Sequence, residues 1–522
     1  MVTIALAHKS FWETKTDAYV FFVTENFSIE GDLTYLQDTF YPDLQKILKK
    51  HAFTGKKNDT FVLTGMHHGT LVQFILIGLG VGTNSWEKEL ETYRRSCARA
   101  VLQLKKFDVT KAIVTLPLQF LLQAKNSKLT PAEIVKQTVI ICNMAQYEFN
   151  TFKTEQKTKT IQQTIDLVLS NDCKSKDACS KLEQALQHGH IIAKAVNDTR
   201  HLADLPANIA TPTMVAQEAE KLAKEHGLQC TIFGREKALE LSMGGFCAVD
   251  AGSDQDGKFV ILEYRYDPKA PTIALVGKGV TFDTGGISLK PANSMTNMKF
   301  DMTGAASVLQ SIAALAQLKA EVNVVAIAPL VENMPSGKAA RQDDIITHMN
   351  GKTTEIKNTD AEGRLILSDA LCYAEQFYKP EIMLDSATLT GACLVALGHY
   401  YTALLTVDQE LSNALFTIGN LVGDRVWPLP FDNEDFKESF KSDVADLANS
   451  GSSSYGGGTI AGGMYLASFV KSARWAHLDI AGTADGVPGI NYVSKGATGA
   501  SVRLMIEFVM QFAATKSLEK MQ

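Results

Sequence analysis

Two segments of the chain concentrate the residues that could perform chemistry. In the first, 273–302, an apolar strand runs into a glycine-rich loop and then toward a helix. The second, 358–365, reads Asn-Thr-Asp-Ala-Glu-Gly-Arg-Leu. The charged residues of interest are Lys278, Asp283, Lys290, Asp301, Asp360, Glu362 and Arg364. Glycines permit close backbone approach, and alternate residues of an extended loop face one way, so the two loops can bring their carboxylates together.

Four carboxylates at one point would repel one another and raise one another's pKa. Two divalent metal ions are the simplest compensation, because they supply four positive charges. Lys278 is a further candidate ligand only as the neutral amine, so the metals would have to lower its pKa. Lys290 and Arg364 would then leave excess positive charge, which suits a developing oxyanion and a small bound anion. Metals about 3.5–4 Å apart can ionise a bridging water and polarise a carbonyl.

Plainer interpretations of these residues remain open from spacing alone. A single acidic loop residue is most often solvated or caps a helix, and Lys290 before Pro291 is typical of a surface lysine. The segment 78–82 resembles a nucleotide loop, but Thr83 stands where the dinucleotide fingerprint has glycine, so a strand-end turn is expected. The chain has neither an HExxH pattern nor a GxSxG elbow around the serines at 452–454, which disfavours a histidine-zinc protease and a serine hydrolase.

The elements that must position these residues alternate between strands and helices. The expected strands are Ala18–Val23, Phe74–Gly80, Ala112–Leu116, Thr138–Cys142, Phe259–Tyr264, Thr272–Gly277, Val322–Ala328, Glu381–Asp385 and Ala476–Ile480. The expected helices include Asn84–Lys105, Ser180–Ala203, Thr303–Lys319 and Ala361–Tyr378. This pattern predicts an α/β fold with a mixed central sheet flanked by helices, in which functional groups collect at strand ends.

A polar, lysine-rich stretch at 151–187 predicts a boundary between two domains. We place it near residue 175. A smaller N-terminal α/β domain would span 1–175. A connector helix and a larger domain with the mixed sheet would make up 176–522.

The composition excludes several classes of protein. The 522 residues are 45% hydrophobic and 21% charged, which is ordinary for a globular protein and excludes global disorder. A net charge of −6 gives no support to bulk nucleic-acid binding. Eight cysteines without a CxxC pair favour reduced thiols in the cytoplasm. Apolar runs are too short to span a membrane, and a targeting sequence is not expected.

The two segments resemble the signature of the leucyl aminopeptidase family, the cytosolic two-metal aminopeptidases. The octapeptide 358–365 is similar to the family's signature in full, and 278–301 matches at all four polar positions. The stretches 385–391 and 475–482 also fit. The resemblance covers roughly 200–510, whereas the N-terminal region is similar only in length and in its alternation of strands and helices.

This resemblance implies a metal-dependent aminopeptidase with two metal sites that share ligands. One site is held by Lys278, Asp283, Asp301 and Glu362, and the more exchangeable one by Asp283, Asp360 and Glu362. Oxygen-rich ligation with one amine tolerates Zn²⁺, Mn²⁺ and Co²⁺. Lys290 is implied to polarise the scissile carbonyl. Arg364 is implied to hold a bicarbonate ion that acts as general base on the bridging water.

The family resemblance also implies a substrate and an assembly. The free N-terminal amine of a short peptide would bind one metal and Asp301. The residues Met298, Thr388, Gly391 and Ala481 resemble the lining of a pocket that favours leucine and similar apolar residues. The family forms a homohexamer, a dimer of trimers, with interior active sites. The resemblance thus implies that 1–175 serves oligomerisation and access and that 176–522 contains the catalytic domain. A dipeptidase such as a Cys-Gly hydrolase, and a non-catalytic or DNA-binding relative, are the alternatives.

Overall fold

The computed structural model describes residues 2–7, 11–155, 163–168, 176–431, 434–451 and 456–521. The chain divides into two compact units. The first contains Met1–Lys194 and Gly489–Val493, and the second contains Ala195–Pro488 and Ser494–Gln522. The boundary expected at residue 175 and the serines at 452–454 lie outside the described residues.

The first unit is built on a six-stranded sheet. Its strands are β1 (Thr3–Leu6), β2 (Ala18–Thr24), β3 (Thr60–His67), β4 (Thr70–Gly80), β5 (Lys111–Thr115) and β6 (Thr164–Val168). Its helices are α1 (Asp32–Phe40), α2 (Leu44–Lys50), α3 (Trp86–Lys106), α4 (Leu118–Leu122), α5 (Pro131–Gln146) and the first part of α6 (Lys176–Asp204). The strand order is β1-β6-β5-β2-β4-β3, and all neighbours are parallel except β3 and β4.

The strand predicted at Thr138–Cys142 is wrong, because these residues lie in the middle of helix α5. The helix start explains why. The Thr130 hydroxyl caps the backbone N–H of Glu133 at 3.1 Å, and Pro131 occupies the first helical position. The β-branched residues that suggested a strand are buried, and tertiary packing overrides such weak propensities.

The second unit contains a nine-stranded sheet and a small three-stranded sheet among the described residues. Its strands are β7 (Gln229–Phe233), β8 (Lys258–Tyr264), β9 (Thr272–Gly277), β10 (Gly279–Asp283), β11 (Asn323–Asn333), β12 (Ile345–Thr347), β13 (Thr353–Glu355), β14 (Ile382–Ala387), β15 (Thr402–Leu405), β16 (Val426–Pro428), β17 (Leu447–Ala448) and β18 (Arg474–Asp479).

Helices flank these sheets. Those after α6 are α7 (Pro212–His226), α8 (Arg235–Glu240), α9 (Gly244–Asp250), α10 (Ala292–Met295), α11 (Thr303–Gln317), α12 (Gly363–Tyr378), α13 (Ala392–Leu397), α14 (Gln409–Val422), α15 (Gly458–Ala467) and α16 (Val502–Thr515). Short 3₁₀ helices span Phe11–Glu13, Met298–Met302, Glu434–Phe440 and Glu519–Met521. Among the described residues, every helix is too short or too polar to cross a lipid bilayer.

The large sheet is mixed, as predicted. Its order is β16-β15-β18-β14-β9-β11-β8-β7, with β10 paired to β11. The central strands β18, β14, β9 and β11 are parallel to their neighbours in this group. Helices α11 and α12 both pack on β9, whose apolar run is buried. The carboxyl ends of these parallel strands therefore meet at one edge of the sheet, where functional residues are expected.

Candidate active site

The predicted site residues come from the segments around β9 and β10 of the large sheet and from the loop between β13 of the small sheet and α12. Lys278 lies between β9 and β10, and Asp283 ends β10. Asp301 lies on the 3₁₀ helix Met298–Met302 that leads into α11. Asp360 and Glu362 precede α12, with Glu362 at its N-cap position. The structure thus brings together carboxylates that are far apart in the sequence.

Lys278 is the buried centre of one half of the cluster. Its Nζ lies 2.7 Å from Oδ2 of Asp301 and 2.8 Å from Oε1 of Glu362. It also donates to the backbone carbonyl of Thr388 at 2.9 Å. Lys278 is only 3% exposed, so these contacts replace water as its hydrogen-bond partners.

Lys290 occupies the other half, between two more carboxylates. Its Nζ lies 2.8 Å from Oδ2 of Asp283 and contacts Oδ1 of Asp360. The Lys290 side chain is 15% exposed and that of Asp360 is 33% exposed. This half of the cluster is therefore the one that solvent or a substrate can reach.

Two glycines allow the loops to approach this closely. A Cβ atom on Gly363 would lie 2.5 Å from Cε of Lys278, so a side chain there would displace the lysine from its carboxylates. Gly285 has φ of +87°, and its Cβ would meet the carbonyl oxygen of Ser288 at 2.4 Å. Both positions therefore need glycine, because a Cβ atom there would clash with its neighbours.

The electrostatics of the cluster favour a bound cation. Burial, together with the nearby Asp283, raises the pKa of Glu362 to about 8. Burial also raises the pKa of Asp301 to about 6, against the lowering effect of Lys278. Burial alone would lower the pKa of Lys278, but Asp301, Glu362 and Asp283 outweigh it and raise that pKa. The carboxylates are therefore held under mutual repulsion that two ammonium groups only partly relieve.

The donor set fits divalent metal. Ligand oxygens of Asp283, Asp301 and Glu362 lie within 4.8 Å of one another, and all three residues are buried. With Asp360, four carboxylates face the two ammonium groups of Lys278 and Lys290, so the fully ionised cluster carries two negative charges in excess. Buried charges of this kind are paired or coordinate metals, and carboxylate oxygens suit divalent ions.

Two asparagines that sequence reasoning missed organise the acidic loops. Asn333, at the end of β11, donates to Oδ1 of Asp283 at 2.8 Å, to the Thr359 carbonyl at 3.0 Å and to Oε2 of Glu362 at 3.4 Å. It is 5% exposed. Its position directly after a long apolar strand is the signal that could have found it.

Asn449 is the second, and it is fully buried. Its side-chain oxygen accepts from the backbone N–H of Lys357 at 2.8 Å and of Asn358 at 3.2 Å. Its amide donates to the carbonyls of Asn358 at 2.6 Å and Ala361 at 3.3 Å. One side chain therefore fixes the backbone of the loop that carries Asp360 and Glu362.

The predicted pocket residues lie on three loops around the cluster. The Thr388 hydroxyl donates to Oδ1 of Asp301 at 2.6 Å, and Met298 is one turn before Asp301 on the 3₁₀ helix. Gly391 is exposed at the start of α13, and Ala481 is half-buried after β18. The Ala481 N–H donates at 3.2 Å to Oδ1 of Asp479.

Asp479 is a further residue that sequence reasoning missed, and it holds the loop that carries Thr388. Its Oδ1 accepts from the N–H of Leu389 at 3.1 Å. Its Oδ2 accepts from the hydroxyl of Thr390 at 2.6 Å. Because the same carboxylate also binds the Ala481 N–H, it joins two of the predicted pocket loops.

Arg364 is half-buried near the acidic cluster, where burial lowers its pKa and Glu362 and Asp479 act against that lowering. Its Nη1 donates to the carbonyl of Asn449 at 2.7 Å, and its guanidinium lies 5.9 Å from the Tyr465 ring centroid. Among the described residues it forms no close ion pair with a carboxylate, and its buried Nε lacks an acceptor. A cavity of about 580 Å³ opens beside it, lined in part by Val395 and Leu429. Arg364 therefore keeps donors available for a small anion.

An acidic cluster with two lysines, at the strand ends of a mixed α/β sheet, is the arrangement of a metal-dependent hydrolase. Comparison with known families identifies the class of hydrolase. The catalytic domain of the cytosol aminopeptidase family matches residues 197–506, and the family's N-terminal domain matches residues 20–156. The chain belongs to the cytosol aminopeptidase family and is an aminopeptidase, a hydrolase.

Individual relatives agree over nearly the whole chain. A "Probable cytosol aminopeptidase" of Nitrosococcus oceani is 40% identical over 474 residues, 90% of each chain. That of Paraburkholderia xenovorans is 38% identical over 503 residues, 96% of this chain and 95% of the relative.

Two solved structures are similar to this chain over nearly its whole length. A mutant of the tomato leucine aminopeptidase has a TM-score of 0.83 at 29% identity and covers 98% of this chain and 97% of its own. The bottromycin maturation enzyme BotP, solved in complex with Mn, has a TM-score of 0.80 at 29% identity and covers 96% of this chain and 100% of its own. Together with the buried acidic cluster, these matches support a divalent metal requirement.

Proposed function

We propose that this aminopeptidase removes N-terminal leucine and similar apolar residues from short peptides at the cluster of four carboxylates and two lysines. The convergence of Asp283, Asp301, Asp360 and Glu362 on Lys278 and Lys290 is the observation that carries the proposal. Lys278, Asp283, Asp301 and Glu362 would hold one metal, and Asp283, Asp360 and Glu362 the other. Bound there, two divalent ions supply an ionised water and a polarised carbonyl.

Lys278 takes part as a ligand only after losing its proton. Its carboxylate neighbours raise its pKa, so the proton leaves only when a cation of higher charge takes its place among them. Zn²⁺, Mn²⁺ and Co²⁺ all meet that condition.

Lys290 acts as the electrophile that stabilises negative charge on the scissile carbonyl oxygen. Burial opposes its charge, but Asp283 and Asp360 raise its pKa and keep it an ammonium at neutral pH. The two carboxylates also hold Nζ in one place, so little reorganisation is needed as charge develops.

Arg364 holds a bicarbonate ion, which accepts the proton of the attacking water. The guanidinium forms no close ion pair with the cluster among the described residues and has an unused donor at Nε, whereas the buried carboxylates of the cluster face cations. An exogenous anion on Arg364 therefore supplies a base that is not itself a metal ligand.

The free amine of the substrate provides exopeptidase specificity. It would bind at Asp301, whose carboxylate Thr388 orients. Met298, Thr388, Gly391 and Ala481 would line the pocket for the first side chain, where one methylene is worth about 1–3 kcal/mol. We further propose a cytoplasmic homohexamer, a dimer of trimers, that admits only short peptides.

Hydrolysis of a leucine amide reporter tests the function. The purified protein is assayed with added Mn²⁺ or Zn²⁺, after chelator treatment, and beside the N-acetylated reporter. Metal-dependent cleavage of only the free-amine reporter is expected. Cleavage of the acetylated reporter at an equal rate would contradict amine recognition. No cleavage with any metal, in a folded protein, would instead favour a binding role.

Two variants test the residue assignments. Asp360→Ala should abolish turnover and weaken binding of the exchangeable metal, so normal turnover at saturating Mn²⁺ would refute the ligand assignment.

Arg364→Ala should have impaired turnover that partly recovers in high bicarbonate. If neither the variant nor the parent responds to bicarbonate, the anion is not the base.

A further inference from the structure

The first unit contains a cavity of about 640 Å³ that the aminopeptidase reaction does not use. It lies at the carboxyl ends of β2, β4 and β5, and its wall includes Thr24, Gly82 and Leu116. β4 and β5 pair with β2 on opposite sides. The strands before and after this point are therefore added to opposite halves of the sheet, which makes it a topological switch point. Open α/β sheets bind ligands in the crevice at such a switch point, and the volume is that of a small-molecule site.

One wall of this cavity carries a buried carboxylate with an unused oxygen. Glu89, in the first turns of α3, is 4% exposed. Its Oε1 accepts from the backbone N–H of Thr83 at 3.0 Å and of Asn84 at 3.1 Å. Its Oε2 has no donor among the described residues. Anchoring the loop at 83–84 requires only Oε1, so the second oxygen is left for a ligand.

The charge of the lining selects the ligand. The described residues that line the cavity include no lysine, arginine or histidine, so a phosphate or a carboxylate would meet no cation. Glu89 is their single charged residue, and Phe27 and Phe120 contribute aromatic surface. A buried carboxylate is best satisfied by an opposite charge that donates a hydrogen bond.

We propose that this cavity binds a small molecule with a primary ammonium group on an apolar body, with the ammonium on Glu89 and the body against the phenylalanines. The segment 78–82, which resembles a nucleotide loop in sequence, supplies part of the wall. The site takes amines rather than phosphorylated nucleotides, because its single charge is negative. The proposal does not depend on the peptidase mechanism, since the cavity lies in the first unit.

Phenethylamine binding to the full-length protein tests this site, measured by saturation-transfer NMR and titration. Glu89→Gln is the informative variant. Its amide oxygen can still accept from Thr83 and Asn84, but its charge is gone. Glu87→Gln is the matched control on the same helix, because Glu87 accepts from the Ser85 hydroxyl at 2.7 Å and does not line the cavity.

Glu89→Gln should weaken phenethylamine binding at least about tenfold, and Glu87→Gln should leave it unchanged. Binding at the metal centre is common to all three proteins and cancels in this comparison. Equal binding by all three, or no binding by any, would overturn the site. Thermal unfolding and leucine amide hydrolysis should be unchanged in both variants, which excludes misfolding as the cause.

Two further probes test the ligand chemistry. Phenethyl alcohol replaces the ammonium by a hydroxyl, and phenylalanine adds a carboxylate to the same body. For each probe, the binding at this site is the part that the parent protein shows and Glu89→Gln lacks. By that measure, both probes should bind more weakly than phenethylamine. Tighter binding of either would overturn the assignment to a primary amine without an acid group.

Discussion

The side-chain amide of Asn333 donates a 2.8 Å hydrogen bond to Oδ1 of Asp283, 50 residues earlier in the chain. The same amide reaches Oε2 of Glu362 at 3.4 Å. Asn333 therefore orients two carboxylates from different loops, the two that we propose bridge both metals. Partners of this kind set the direction of a ligand's lone pairs and the affinity of the metal site.

Replacing Asn333 by leucine should weaken metal binding and lower kcat/KM by about 10–100-fold, because two ligands lose their donor. Metal affinity is measured by chelator competition and kcat/KM with the leucine amide reporter. Asn143→Leu is the control, because Asn143 is also buried and hydrogen-bonded but lies in the first unit. Equal metal affinity in the two variants would contradict the orienting role.

Asn449→Leu should lower kcat/KM by a similar factor, about 10–100-fold, because the loop that carries Asp360 and Glu362 would lose its fixed conformation. Four hydrogen bonds to loop backbone disappear, and unsatisfied buried groups cost about 1–3 kcal/mol each. The exposed Asn413→Leu variant should behave as the parent in kinetics and thermal unfolding. A variant that unfolds earlier yet keeps its kcat/KM would show that Asn449 serves stability alone.

Lys290→Met should lower kcat by about 10²–10³-fold with a smaller effect on KM, as expected for a donor used mainly in the transition state. Steady-state kinetics with the leucine amide reporter separate the two parameters. Lys221→Met on α7, whose lysine side chain is 61% exposed, is the surface control. A change confined to KM would assign Lys290 to substrate binding instead.

Chelator-treated protein should lose stability as pH rises from about 5 to 9. The pKa of Glu362 is raised from 4.5 to about 8 by burial and Asp283, so the folded state binds a proton that the unfolded state releases. This contribution is complete below the unfolded pKa and is lost as pH rises through the folded pKa. Asp301, with a pKa raised to about 6, acts in the same direction.

Thermal unfolding midpoints across that pH range check this dependence. Saturating Mn²⁺ should flatten it, because the metal replaces the proton as the counter-charge. Without metal, Glu362→Gln should reduce the dependence to the part that Asp301 contributes. A metal-free midpoint that rises with pH would contradict the sign.

The α/β fold class and the mixed sheet were predictable from sequence because the buried parallel strands are continuous apolar runs. Thr272–Gly277 was predicted with the bounds that β9 has, and Thr303–Lys319 with the start of α11. Thr138–Cys142 failed because a short β-branched apolar run fits a strand and a buried helix equally well. In α5, the cap at Thr130 and the packing of residues on all sides stabilise the helix.

By itself, the sequence determined which groups are available for chemistry, since carboxylates and lysines beside glycine-rich turns are local patterns. It also determined the family, through the segments 278–301 and 358–365. Only the tertiary structure decided how these groups meet. Asn333, Asn449 and Asp479 were missed because a single polar residue at a strand end marks a candidate position but does not show which loop it will bond. Their roles arise from long-range hydrogen bonds across 26 to 92 residues, which depend on how the strand ends assemble and not on local spacing.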